Sequence, residues 1–130
     1  MNEVIKAIEE RFSCRGYTGH KVDEDKLKII AKSALHAPSA INQQPWRLLV
    51  INNKFIVEKL DHSALSYMKD MEDQSYHKRI VERGGKVFYD APCLFLILRD
   101  KEQRWGEMDA GIMTQNIILV LQSYEKKFPT

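Results

Sequence analysis

The chain has 130 residues, 44% apolar and 29% charged, with a formal net charge of +2, which is one domain's length and an ordinary globular composition. The charge is too small, and Lys and Arg too evenly interleaved with acids, for a nucleic-acid surface, and no apolar run approaches the ~20 residues of a membrane helix. The N-terminus, MNEVIKAIEERF, carries acids in its first turns and has no cleavage signature, so it does not read as a signal peptide. Two cysteines, Cys14 and Cys93, are too few for a disulfide framework and fit a reducing, cytoplasmic compartment.

Residues 2–11 form a short helix with Val4, Ile5 and Ile8 on one face, and RFSCRGY, with Gly16 and Gly19 nearby, breaks it. Asp23 is an N-cap for an amphipathic helix carrying Leu27, Ile30, Ala31, Ala34 and Leu35. Pro38 stops that helix, because the residue before a proline is pushed out of helical geometry. RLLVINN (47–53) is a strand whose apolar centre does not alternate, which predicts burial on both faces as in an α/β sheet. FIVEKL is a short helix. Residues 61–90 are polar and weakly periodic, end in Gly84-Gly85, and read as one or two exposed helices forming a cover. CLFLILR (93–99) is a second apolar strand. From 107 to 124, Ile112, Met113, Ile117, Ile118, Leu119, Val120 and Leu121 cover nearly the whole circumference of a long helix, which predicts burial throughout.

Two strands alone make a marginal sheet, and strands buried on both faces need neighbours. The sheet therefore reads as unfinished: strands are missed, a second copy completes it, or the chain is truncated.

The common chemical motifs are missing. There is neither a G-x-G-x-x-G nor a P-loop, His20, His36, His62 and His77 lack zinc spacing, and there is no G-x-S-x-G elbow. Two segments carry chemistry. In Arg11-Phe12-Ser13-Cys14-Arg15, an extended backbone would point residues 11, 13 and 15 the same way, and two guanidinium forks beside a hydroxyl suit a phosphate. Taken alone, the segment is better read as a helix C-terminus whose arginines meet the dipole and solvent. In HAPSAINQQPWRLLVI, the side-chain amides of Asn42, Gln43 and Gln44 suit a heterocycle edge of alternating donors and acceptors, with Pro38 and Pro45 stiffening the loop and Ser39 in reach of a sugar-like hydroxyl. A polar loop punctuated by prolines accounts for it equally well. Glu72 and Tyr76 would share a face of any helix there and could grip a polar substrate, although ordinary surface residues are the preferred reading.

In order, RFSCRGY, APSAINQQPWRLLVI, DAPCLFLIL and DAGIMTQNIILVLQS resemble the nitroreductase-like flavoprotein family over about residues 3–124, the first two motifs being the specific ones. The resemblance implies an α+β fold, a central sheet flanked by helices with a long buried C-terminal helix at a dimer interface. It also implies an FMN-dependent oxidoreductase passing electrons from NADH or NADPH to a small organic acceptor, with neither nucleic acid nor membrane as partner. By position, Arg11, Phe12 (through its backbone), Ser13 and Arg15 would hold the phosphate and ribityl chain of FMN. Pro38, Ser39, Ala40, Asn42 and Gln44 would meet the flavin of the other protomer. No residue is assigned catalysis and none a metal. The chain, one nitroreductase-like domain over 1–130, ends at SYEKKFPT where family members continue with further strands and an arm. The alternatives are a non-catalytic dimeric remnant of the family and a binder of another phosphorylated ligand.

Overall fold

The structure is a computed structural model and describes residues 2–125. The described residues form two compact units: residues 2–13, 23–50 and 95–125, and residues 14–22 and 51–94.

The first unit opens with α1 (Glu3–Glu10), capped by Asn2, whose Oδ1 accepts the Val4 N–H at 2.8 Å. The apolar face read from the sequence is present, yet Val4, Ile5 and Ile8 all remain exposed. Helix α2 (Glu24–Leu35) starts where expected, Asp23 accepting the Asp25 N–H at 3.2 Å. It ends three residues before Pro38, with the His36 and Ala37 N–H groups closing on the Ser33 and Ala34 carbonyls. Leu27, Ile30 and Ala34 are buried as expected, while Leu35, at the last turn, faces out.

Helix α5 (Gly106–Glu125) packs against α2 and against α1. Its start lies so close to the preceding strand that a Cβ at Gly106 would sit 3.2 Å from the Asp100 carbonyl oxygen. Met113 and Ile117 join Ile30, Ala34, Ala37 and Trp46 in one buried cluster, with Leu48, Phe95, Ile97, Ile112, Val120 and Tyr124 packed around it. The Asn116 amide adds a hydrogen bond to the Ser33 carbonyl at 3.0 Å. The expectation that this helix is buried all round fails within the single chain. Asp109, Met113 and Ile117, at helical spacing, lie on the buried side, whereas Met108 and Leu121 are exposed.

The strands β1 (Trp46–Ile51) and β2 (Leu94–Arg99) are the whole sheet among the described residues. They run antiparallel, and just past their ends the Asp100 N–H donates to the Pro45 carbonyl at 2.8 Å. Burial on both faces is not met. Leu49 and Leu98 are 47% and 48% exposed, since one helical layer cannot cover two faces of a two-stranded ribbon.

In the second unit, FIVEKL proves to be the start of a much longer helix, α3 (Lys54–Lys69). Asn53 caps it by accepting the Ile56 N–H at 3.2 Å, and its sequence holds no Gly or Pro to stop it. The polar surface of its second half had masked the helical period. Helix α4 (Ser75–Glu82) follows and ends in a Schellman turn. There Gly85 N–H donates to the Ile80 carbonyl at 2.9 Å and Gly84 N–H to that of Val81 at 3.1 Å, with φ of 74° and 104° that favour glycine. Glu72 lies in the bend between α3 and α4 and Tyr76 lies inside α4, so they share no helical face, and both are exposed, in line with the preferred reading as surface residues. Asp61 of α3 is buried and accepts the backbone N–H groups of Val87 and Phe88 at 3.1 and 2.8 Å, pinning the segment after α4.

Replacing Met113, which is fully buried, by Ala is expected to cost about 2–5 kcal/mol, while Gln115→Ala on the exposed side stays within about 0.5 kcal/mol. Urea unfolding of the two variants checks this, and equal losses would contradict the one-sided burial of α5.

Candidate functional site

The segment between α2 and β1 starts and ends on core residues, since both Ala37 and Trp46 are buried in the first unit's cluster. Between them the chain lifts into solvent. Ser39 is extended (φ −138°, ψ 156°), and Ala40–Asn42 form one 3₁₀ turn, closed by Asn42 N–H to Ser39 C=O at 3.0 Å and Gln43 N–H to Ala40 C=O at 3.1 Å. Ile41, Asn42 and Gln44 then have φ of 55°, 54° and 50°. Such left-handed geometry costs about 1–3 kcal/mol per non-glycine residue, most of all for a β-branched one, and persists only where surrounding contacts fix it.

Those contacts come from the candidate residues themselves. Ser39 Oγ accepts the Gln44 N–H at 2.9 Å, and the Gln44 side-chain amide donates to Asn42 Oδ1 at 3.2 Å. From α5, the Asp109 carboxylate accepts the Ala40 N–H, shared between its two oxygens at 3.3 and 3.4 Å. The structure thus brings Ser39, Ala40, Asn42 and Gln44 into one bonded turn, with the Asn42, Gln43 and Gln44 side chains exposed. Ile41, 90% exposed, projects from it.

The arginine segment follows α1 directly. Arg11 is the C-cap of α1 and already extended (φ −62°, ψ 130°), and no regular element follows until Glu24. Arg11 is thus both a helix C-terminus and extended, which suits either reading of the segment. Phe12 and Ser13 are exposed, and the division between the compact units falls after Ser13. Arg15, in the second unit, places its guanidinium 5.8 Å from the centroid of the Tyr89 ring. Arg83 donates to the same residue's hydroxyl at 3.5 Å. Tyr89 and Asp90 are left-handed (φ 53° and 59°), and Lys86 pairs with Asp90 at 3.2 Å. The hydrogen bond from Arg83, with Arg15 adding to it, lowers the Tyr89 phenol below its ordinary pKa. Burial pushes the Cys93 thiol up, so it stays protonated near neutral pH and is no ready nucleophile.

Residues 8–125 match the model of the nitroreductase family. The chain belongs to the nitroreductase family. A nitroreductase with bound FMN from Desulfitobacterium hafniense superposes with a TM-score of 0.88 at 41% identity, over 95% of this chain and 66% of that one. A second nitroreductase with bound FMN, from Bacteroides fragilis, gives a TM-score of 0.83 at 27% identity over the same shares. A curated NADH dehydrogenase of Thermus thermophilus is 28% identical over 106 residues, 82% of this chain and 43% of its own length. The chain spans about half the length of the curated relatives it matches. The α+β nitroreductase fold expected from the motifs is the fold of these neighbours.

Two residues beside the candidate segments, one in each unit, escaped the sequence reading. Tyr89 sits in a stretch that looked only polar. Asp109 opens the DAGIMTQ motif, where a carboxylate in a helix's first turn passes for a dipole partner. Only the tertiary contact shows its hold on Ala40, 69 positions away in sequence.

An ultraviolet titration comparing the parent protein with Tyr89→Phe is expected to isolate a phenol ionising below the ordinary tyrosine range, and Arg83→Ala should move that midpoint upward. A midpoint that Arg83→Ala leaves in place would contradict the assignment.

Proposed function

We propose that this chain binds FMN and serves an oxidoreductase that carries electrons from NADH or NADPH to a small organic acceptor, working as a homodimer in the cytoplasm. The observation that carries the reading is the strained turn at 39–44, whose own hydrogen bonds hold exposed side-chain amides in a conformation the backbone disfavours. Strain of this kind gathers where a ligand must be met in one geometry. Family membership and the FMN named with both neighbouring nitroreductase structures support the choice of ligand.

The donor set fits that ligand. Arg11 and Arg15 offer planar forks suited to phosphate oxygens, and the exposed Ser13 hydroxyl and Phe12 backbone add neutral groups beside them. Asn42 and Gln44 carry both donors and acceptors, as an isoalloxazine edge requires, while Pro38, Ser39 and Ala40 bring the backbone alongside. When bound, FMN would supply the redox chemistry, and the protein's share is binding, orientation and electrostatics. No side chain is therefore assigned as general acid or base.

A homodimer is supported by the apolar surface left uncovered in the single chain: Val4, Ile5 and Ile8 on α1, and Met108 and Leu121 on α5. Among the described residues no helix is long and apolar enough to cross a membrane. The smallness of the net charge argues against nucleic acid.

Gel filtration of the purified protein after addition of FMN is expected to carry a flavin absorption band in a dimer-sized peak, bleached by NADH or NADPH and restored by an acceptor. Arg15→Glu, which sets a like charge against the phosphate, should weaken FMN binding by roughly 10- to 100-fold. A colourless parent protein, or undiminished affinity in the variant, would overturn the reading or the phosphate assignment respectively.

A further inference from the structure

We propose that Asp109 is a positioning residue for the proposed flavin-facing turn: by accepting the Ala40 N–H it fixes the 39–44 backbone that presents Asn42 and Gln44. The inference rests on the FMN reading for its purpose, and on the geometry of the first unit for its mechanism.

Asp109 is 3% exposed, and a carboxylate so buried requires partners. It has two. The first turn of α5 offers a favourable dipole, and the Ala40 N–H reaches both carboxylate oxygens. On the turn's side, Ala40 is the first residue of the 3₁₀ turn and immediately precedes left-handed Ile41 and Asn42. The Gln44–Ser39, Gln44–Asn42, Asn42–Ser39 and Gln43–Ala40 hydrogen bonds all join residues between 39 and 44, and so move with the turn as a body. The bond to Asp109 ties that body to α5, whose next buried residue, Met113, is at the centre of the core. Position is thereby transmitted from the α2–α5 seam to the amides. The second unit uses the same device: its buried Asp61 holds the backbone N–H groups of Val87 and Phe88.

Three variants of the full chain test this. Asp109→Ala removes the acceptor. Asp109→Asn keeps an acceptor oxygen of the same reach and serves as the conservative rescue. Ala40→Pro removes the donor alone and leaves the buried helix untouched; extended Ser39 and the first position of a helical turn both accept proline there. Two readouts are taken: hydrogen–deuterium exchange across residues 39–44 in the ligand-free protein, and FMN affinity by fluorescence titration. Asp109→Ala and Ala40→Pro are expected to speed exchange in 39–44 about tenfold or more, with α2 unchanged, and to weaken FMN about tenfold, while Asp109→Asn stays within about threefold of the parent. Unchanged exchange in both disrupting variants overturns the proposal, as does unchanged FMN affinity in a parent that binds FMN. If Asp109→Ala fails to fold, Ala40→Pro decides by the same criteria. A parent that binds no FMN would sink the flavin reading instead. Exchange would then decide alone, faster exchange upholding Asp109's hold on the turn and unchanged exchange overturning it.

Discussion

The seam between α2 and α5 is the contact on which the rest of the first unit depends. Ile30 and Ala34 from one helix meet Met113 and Ile117 from the other, and Ala37 and Trp46 close the cluster from the two ends of the α2–β1 connection. Because both ends are anchored in one core, the residues between them have little freedom of reach. Eight residues, 38–45, must leave the surface and return, and the chain does so through a single tight turn. Core packing therefore fixes where the amides of Asn42, Gln43 and Gln44 can stand.

The turn itself runs against local preference. Ile41 is apolar, β-branched and left-handed, yet almost fully exposed, so neither burial nor conformational propensity holds it in place. Hydrogen bonds do: the Gln44 N–H to Ser39, the Gln44 side-chain amide to Asn42, and the Ala40 N–H to Asp109. A polar loop serving only to connect two elements would relax to cheaper geometry. The retained strain supports the proposed binding role over a proline-punctuated linker, a choice that residue types alone left open.

Much of the fold is legible in the sequence because its signals are local. Asp23 caps α2, Pro38 forbids its continuation, and the strands read at 47–53 and 93–99 form at Trp46–Ile51 and Leu94–Arg99. The nitroreductase family is legible too, since RFSCRGY and APSAINQQPW keep their order and spacing. What escaped depends on tertiary context. The helices read within 61–90 are present, but apolar periodicity could not show that the first of them continues FIVEKL without a break as α3. Nor could it tell whether Leu49, Leu98, Met108 and Leu121 would find cover, because that depends on what packs against them rather than on their own hydropathy. Nothing local marks Asp109 or Asp61 as buried, yet each is, Asp109 accepting the Ala40 N–H and Asp61 those of Val87 and Phe88.

The proposal to be tested is that the segments 11–15 and 38–44 each contact FMN. Its most direct test is an amide-resolved NMR titration of the isotopically labelled protein with FMN. The account predicts that the largest shifts fall on residues 11–15 and 39–44, with the α3 amides little changed. Shifts concentrated elsewhere, or none at saturating FMN, would contradict it.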